Sequence, residues 1–164
     1  MIPFDVLQRS QNIRCHHMLE ASAGTGKTFA IENVAARLLI EGDHPLNLEE
    51  ILLVTFTKAA ANDLKVRLRK NIEKVIALLK NPHGALPDYV KAIIEKGAEA
   101  ITKAKRSLEQ ALFSYDKAQV FTIHSFCWHM LQSNAMEGSL SLNPSGGDKA
   151  LSKSKLLQIV HDYL

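Results

Sequence analysis

One segment near the start of the sequence has the residue types of a phosphate-binding loop. Residues 21–28 read Ala-Ser-Ala-Gly-Thr-Gly-Lys-Thr, which fits the pattern G-x-x-x-x-G-K-[ST] except at the first position, where Ala21 replaces Gly. Gly24 and Gly26 let the backbone approach phosphates closely with its N–H groups pointing inward. Lys27 would reach the β- and γ-phosphates as the catalytic cation, and the Thr28 hydroxyl would bind Mg²⁺. The predicted nucleotide-binding residues are Ala21, Ser22, Ala23, Gly24, Thr25, Gly26, Lys27 and Thr28.

Hydroxyl-bearing segments at 55–61 and 122–126 follow two other predicted strands. In an open parallel sheet, ligands gather beyond the carboxyl ends of the strands. Hydroxyls with a lysine or imidazole beside helix N-termini suit phosphodiester oxygens, and an exposed Phe56 or Phe126 would stack on a base. In the alternative interpretation, Thr57 and Ser125 only cap helices and both Phe side chains lie in the core. The residues themselves leave both interpretations open.

Hydrophobic patterning predicts the elements that carry these segments. The near-continuous apolar and β-branched run at 51–57 is typical of a central parallel strand that is buried on both faces. Gly97 lies in the middle of a long predicted helix and costs it about 1 kcal/mol. The predicted strands are 18–20, 51–57 and 119–122, and the predicted helices are 27–40, 57–81, about 88–112 and 126–134.

The alternation of strands and helices predicts an α/β fold with a parallel sheet, right-handed crossovers and a helical hairpin before the third strand. A sheet of three strands offers little surface on which so many amphipathic helices could bury their apolar faces. The sequence also stops inside a helix-like pattern at about 156–164. We therefore expect an incomplete fold that belongs to something larger.

Charge and targeting signals bound the class of protein. Residues 51–117 hold 13 Lys and Arg against 7 Asp and Glu, whereas the whole chain has a net charge of +3. Contact with nucleic acid would explain this basic middle, but so would the solvated outer faces of two long helices. The sequence has no secretory signal, no apolar run of about 18 residues and no CxxC spacing. We expect a cytoplasmic protein without membrane contact.

Three blocks of the sequence resemble, in the right order, the conserved motifs of the UvrD/Rep-type superfamily 1 helicases. Residues 20–28 resemble the first helicase motif, residues 54–64 the second conserved block and residues 120–127 the third. The variants Glu-Ala-Ser-Ala-Gly-Thr-Gly-Lys-Thr and Phe-Thr-Ile-His-Ser-Phe-Cys, with a long helical insertion between the second and third blocks, are most similar to the RecB type. The resemblance covers about residues 18–134.

This resemblance implies an ATP-dependent DNA helicase and exonuclease subunit that acts in recombinational repair of double-strand breaks in the bacterial cytoplasm. The chain would be the N-terminal part of a first RecA-like motor domain, a P-loop NTPase fold. A helical insertion would occupy about 82–117, and a helical accessory subdomain would start at about 135–164. ATP and Mg²⁺ would be the cofactors, and single-stranded or duplex DNA ends with RecC-like and RecD-like subunits the partners. The implied DNA contacts are Thr55, Thr57, Lys58, His124 and Ser125.

Carboxylates for hydrolysis are not evident in the sequence. An Asp-Glu pair at the end of a hydrophobic strand usually holds Mg²⁺ and positions water. Glu49 and Glu50 precede their strand, and Asp148 and Asp162 follow none. The chain by itself should bind nucleotide weakly and hydrolyse it poorly. A standalone P-loop kinase or signalling NTPase and a non-catalytic nucleotide-binding assembly module are the alternatives.

Overall fold

The computed structural model of this chain describes residues 4–20, 22 and 24–133. The chain divides into two units, residues 1–126 and 127–164, and of the second only residues 127–133 are described. The accessory subdomain expected at about 135–164 therefore lies outside the described residues. In chain order the elements are α1 (Lys27–Ile40), β1 (Leu52–Thr55), α2 (Lys58–Lys80), α3 (Asp88–Glu95), α4 (Ala98–Phe113), β2 (Gln119–Thr122) and α5 (Ile123–Ser133).

The two strands pair in parallel, and their carboxyl ends meet at the same edge. Thr55 at the end of β1 lies opposite Thr122 at the end of β2. Parallel neighbours need a long crossover connection, which here contains α2, α3 and α4. The predicted α/β class with a parallel sheet and flanking helices is confirmed for the described part of the chain. None of the described helices has both the length and the apolarity needed to cross a membrane.

The core lies among α1, α2 and α4, which pack against one another. In the helix predicted at 57–81, apolar residues recur three and four positions apart in the sequence. They form the buried face of α2, where Leu68 and Ile72 are at most 1% exposed. Leu108 of α4 is fully buried against the same cluster. Each such side chain contributes about 1.5–3 kcal/mol on burial, so this helical layer is the main source of stability.

The strand predicted at 18–20 is not formed. Met18 is 96% exposed and Leu19 is 43% exposed, and the segment pairs with neither β1 nor β2. A strand needs a neighbour to satisfy its backbone N–H and C=O groups. Because no described strand supplies these hydrogen bonds, apolar residue types do not suffice to make this segment a strand.

The burial predicted for β1 is wrong on one of its two faces. The strand covers four residues rather than seven, and Leu52 and Val54 are 42% and 44% exposed. The intervening Leu53 packs against the core. Successive residues of a strand point to opposite faces, and the described helices cover only one of them.

Gly97 divides the long helix that was predicted from residue 88. Its φ of +96° and ψ of −177° lie in a region that only glycine adopts readily, so α3 ends before it and α4 begins after it. The expected cost of a glycine in the middle of a helix therefore does not apply, because the helix breaks at Gly97. α3 is then free to turn and bury Tyr89 and Val90.

A buried arginine fixes the segment that precedes the phosphate loop. Arg37 on α1 is 1% exposed and pairs with Glu41 at 2.8 Å. It also donates hydrogen bonds to the backbone oxygens of Val6 and Gln11, both at 3.0 Å. Its guanidinium lies 5.9 Å from the ring centroid of Tyr89. Arginine is almost never fully buried unless it is paired. The sequence pattern does not indicate this network, because the backbone partners of Arg37 lie in a remote segment of the chain.

Candidate nucleotide and nucleic-acid site

The phosphate loop has the backbone conformation that its glycines suggest. Gly24 has a φ of +78° and Gly26 a φ of +91°, both in the left-handed region that side chains disfavour. A Cβ placed on Gly24 would meet no atom within 4 Å, so the backbone angle rather than crowding calls for glycine there. Ala21 and Ala23 lie outside the described residues. The described part of the loop is thus open on the side of Gly24.

The loop leads directly into the N-terminus of α1. Gly26 is the residue before the first helical position and offers no side chain to the free backbone N–H groups of the first turn. The first turn also contains no acidic residue that would compete with a bound anion. The helix dipole adds a partial positive charge at this end. Together these features suit a phosphate group.

Two side chains of the loop bind the same backbone oxygen. The Lys27 ammonium donates a hydrogen bond to the carbonyl oxygen of Ser22, and the Thr25 hydroxyl donates to it at 2.7 Å. Lys27 is exposed and Thr28 is partly buried at the start of α1. The structure therefore brings the ammonium, a hydroxyl and the helix N-terminus together within one short segment.

The helix that follows the loop is tied to α2. The Asn71 amide of α2 donates a hydrogen bond of 3.0 Å to the backbone oxygen of Glu32, one turn after Thr28. Burial raises the pKa of the Glu32 carboxyl, while Arg67 and Lys74 on α2 act in the opposite direction. α1 begins at the phosphate loop and α2 begins at Lys58, so these contacts join the helices of the two predicted sites.

The segments after β1 and β2 lie side by side at the carboxyl edge of the sheet. Their neighbourhood follows from the pairing of Thr55 with Thr122. The Thr55 hydroxyl donates to the backbone oxygen of Thr57 at 3.2 Å, which fixes the turn after β1. Phe56 in that turn is 86% exposed, and Lys58 is exposed at the start of α2. The core alternative is therefore wrong for Phe56.

Thr57 caps α2. Its hydroxyl oxygen accepts a hydrogen bond of 3.1 Å from the backbone N–H of Ala60. This satisfies one of the four free donors at the helix start and contributes about 1 kcal/mol. The cap interpretation of Thr57 is confirmed, and its contact with DNA stays a prediction.

Thr122 and Ser125 form a reciprocal cap at the start of α5. The Ser125 hydroxyl oxygen accepts from the Thr122 N–H at 2.8 Å, and the Thr122 hydroxyl accepts from the Ser125 N–H at 3.2 Å. This is the capping-box arrangement with serine in the place of glutamate. Thr122 is 8% exposed, and its Thr-x-x-Ser spacing with Ser125 is a sequence signal of this cap. Ser125 therefore contributes to the cap from inside α5, as the partner of Thr122.

The remaining residues of this edge, His124 and Phe126, differ in their exposure to solvent. His124 is exposed in the first turn of α5. Phe126 is partly buried with its ring centroid 6.2 Å from that of Phe121, so it is neither exposed like Phe56 nor one of the buried core residues. Hence the exposed groups gathered at this edge are one lysine, one imidazole and one phenyl ring, beside hydroxyls that hold the two helix starts.

Comparison with known proteins identifies the class to which this arrangement belongs. Residues 5–162 match the UvrD/REP helicase N-terminal domain. The chain belongs to the UvrD/Rep helicase family.

Individual relatives indicate one type within this family, the RecB subunit. The chain is 42% identical over 130 residues to the RecBCD enzyme subunit RecB of Escherichia coli K12, and 37% identical over 138 residues to that of Chlamydia trachomatis. These alignments cover 75% and 82% of this chain but only 11% and 13% of the relatives. The RecB subunit of Mycobacterium tuberculosis H37Rv is 38% identical over 125 residues. The predicted resemblance to the RecB type is confirmed, and the chain spans about an eighth of these relatives' length.

Proposed function

We propose that this chain is the ATP-binding part of a RecB-like, ATP-dependent DNA helicase and exonuclease subunit that acts in recombinational repair of double-strand breaks. One observation carries the proposal: the described loop residues, Ser22 and 24–26, lead into the N-terminus of α1 at Lys27 in a chain of the UvrD/Rep helicase family. Family membership favours ATP over other phosphate ligands.

Different loop residues would bind different parts of the triphosphate. The N–H groups around Gly24 and Gly26 would bind phosphate oxygens, and Lys27 would neutralise charge on the β- and γ-phosphates. Thr28 would contribute its hydroxyl to Mg²⁺, which supplies charge neutralisation between those phosphates when bound. The left-handed angles of both glycines support this fit.

The carboxyl edge of the sheet would bind single-stranded DNA. Lys58 would pair with a phosphate, and the exposed ring of Phe56 would stack on a base, an interaction worth about 1–3 kcal/mol per base. His124 lies on the neighbouring segment and would extend the phosphate contacts. The hydroxyls of Thr55, Thr57 and Ser125 shape the edge and would offer further contacts to the DNA backbone.

The same relatives support a proposal about the larger assembly. We propose that residues 1–164 are the N-terminal part of the first RecA-like motor domain, a P-loop NTPase fold with a helical insertion at about 82–117. RecC-like and RecD-like subunits would be its partners in a bacterial cytoplasmic enzyme, since the relatives are named as subunits of RecBCD. Hydrolysis would need carboxylates from elsewhere in that enzyme, so the chain alone should turn over ATP poorly.

Two measurements on the chain test the proposal. Binding of Mg-ATP should be lost or reduced at least tenfold in Lys27→Ala and unchanged in Lys58→Ala. Binding of a fluorescent single-stranded oligonucleotide should show the reverse, with a smaller salt dependence in Lys58→Ala. Lys70→Ala is the matched control, because it removes the same charge from the exposed side of α2 about 18 Å further along the helix.

The outcomes separate the candidate functions. Tight Mg-ATP binding with no affinity for DNA would favour the non-catalytic assembly module. Rapid ATP hydrolysis by the chain, unaffected by DNA, would contradict the motor-domain proposal and favour a standalone NTPase. Equal losses of DNA affinity in Lys58→Ala and Lys70→Ala would reduce the DNA contact to general attraction by a basic helix.

A further inference from the structure

The helix α2 holds most of the excess positive charge in the middle of the chain. It contains seven Lys and Arg against two acidic residues, whereas the rest of residues 51–117 contains six against five. α2 also begins with Lys58 at the carboxyl edge of the sheet, where the proposed function places single-stranded DNA. A row of cations that starts at a DNA site suits more phosphates than the edge alone would bind.

One flank of α2 continues from Lys58 on the side of α4. Asn62, Lys65 and Arg69 follow Lys58 at steps of four, three and four residues, which is the spacing of a single helix face. The Tyr115 hydroxyl, just after α4, donates a hydrogen bond to the backbone oxygen of Lys65, so this flank lies beside the end of α4. At 1.5 Å per residue, the flank extends about 16 Å from Lys58 to Arg69.

The side chains of this flank are accessible to a ligand. Asn62 and Arg69 are exposed, and Lys65 is partly exposed. Within the described part of the chain, Lys65 forms no ion pair, and Arg69 pairs with Glu73 at 3.2 Å. Both members of that pair have more than half of their side-chain surface exposed. An exposed pair of this kind is weak, so a phosphate can replace the carboxylate as the partner of the arginine.

An exposed aromatic ring lies near the far end of the flank. The Arg69 guanidinium lies 5.6 Å from the ring centroid of Tyr115. Two residues before that tyrosine, Phe113 is the last residue of α4 and is 92% exposed. Phe56, in the turn before α2, is 86% exposed near the other end. Cations between exposed rings are how proteins bind single strands, with phosphates on the cations and bases stacked on the rings.

We propose that Asn62, Lys65 and Arg69 on α2, with Phe113 at their end, form a second contact surface for single-stranded DNA that continues the carboxyl edge. This extension rests on the proposed function of that edge. At a rise of at least about 3.4 Å per nucleotide, the 16 Å along α2 take at most about five nucleotides. The contacts are with phosphates and with the faces of bases, so the surface binds without regard to sequence.

The first experiment removes two charges from each flank of α2. The full chain is compared with Lys65→Gln/Arg69→Gln and with the control Lys70→Gln/Lys74→Gln, in which each change lies about 140° round the helix from its counterpart. A fluorescent oligothymidylate of about 12 nucleotides is titrated at several salt concentrations. Two lost phosphate contacts lower the slope of log affinity against log salt by about 1.4. Between about 50 and 200 mM salt, the parent chain should therefore lose about sevenfold more affinity than Lys65→Gln/Arg69→Gln, and the control should follow the parent.

The second experiment tests the ring. Phe113→Ala should weaken binding of the oligothymidylate by at least about fivefold, and Phe113→Tyr should bind like the parent, because stacking needs an aromatic face. A blunt duplex of the same length should bind equally to all three chains, since its bases are already stacked on one another. The side chain of Phe113 is 92% exposed, so we expect the same unfolding temperature for these chains.

The remaining outcomes separate this surface from the edge. Equal salt slopes in the two double variants, or parent-like binding by Phe113→Ala, would overturn the extension, and the edge would stand if Lys58→Ala still lost affinity. Weaker Mg-ATP binding or a lower unfolding temperature in Lys65→Gln/Arg69→Gln would show a structural role instead. Competition by polyglutamate as strong as that by oligothymidylate would assign the flank to an acidic protein and overturn the proposal. No binding of oligothymidylate by the parent chain would refute both the edge and its extension.

Discussion

Replacement of Arg37 by methionine should destabilise the chain far more than any exposed ion pair would suggest. Arg37 is 1% exposed and makes two hydrogen bonds to the Glu41 carboxylate, at 2.8 and 3.0 Å. It also donates to the backbone oxygens of Val6 and Gln11 at 3.0 Å each. Methionine keeps much of the side-chain volume and removes every one of these donors.

The loss in the free energy of unfolding follows from the groups that Arg37→Met leaves without a partner. Breaking a buried ion pair by removing one partner costs about 3–5 kcal/mol, because the other charge stays without compensation. The side chain of Glu41 is 22% exposed, so water recovers part of this cost. The lost hydrogen bonds from a charged donor to two carbonyls add about 1.5–3 kcal/mol each when counted singly, although such terms overlap. We expect a total of about 3–5 kcal/mol.

The assay is urea unfolding followed by circular dichroism, with Arg67→Met as the matched control. Arg67 pairs with Asp63 at 2.7 Å across the same four-residue spacing, but these side chains are 52% and 56% exposed. Exposed helical pairs contribute about 0.3–0.5 kcal/mol. If the two variants lost equal stability, burial would not be the source of the Arg37 effect and the reasoning would be refuted.

Three further predictions concern the tyrosine, glycine and cap already described. Burial raises the pKa of Tyr89 above its ordinary value of about 10, so its contribution to stability is complete below pH 10 and is lost as the pH rises further. Above pH 10 the free energy of unfolding should therefore fall less steeply with pH in Tyr89→Phe than in the parent chain, with a difference in slope of up to about 1.4 kcal/mol per pH unit. Urea unfolding at several pH values measures this difference. At neutral pH the same change should cost about 1–2 kcal/mol, because the buried oxygen of Asn33 loses the hydrogen bond of 3.0 Å from the Tyr89 hydroxyl. Gly97→Ala should cost about 1–3 kcal/mol in thermal or urea unfolding, and no loss would show that the helix break tolerates a side chain. Thr57→Ala should cost about 1 kcal/mol and Thr57→Ser almost nothing, and equal losses would rule out the hydroxyl cap.

Predictions that depended on neighbouring residues in the sequence held best. α1 begins at Lys27 and ends at Ile40 as predicted, because the glycine before it and the apolar spacing within it are local signals. The stripe of α2 was equally readable, since residues three and four apart share one face of a helix. The loop motif placed glycine at Gly24 and Gly26, and the structure shows that both have left-handed angles.

Other features required knowledge of which residues meet across long distances in the chain. The sequence by itself determined the loop motif at 21–28, the helix that follows it and the resemblance to the family, because these depend on residue types at fixed spacing. Only the tertiary structure decided that 18–20 is not a strand, that β1 is exposed on one face and that Arg37 is buried. It also placed the end of β1 beside the end of β2. Strand pairing and the burial of a charge depend on partners supplied by remote segments, and residue spacing along the chain does not specify those partners.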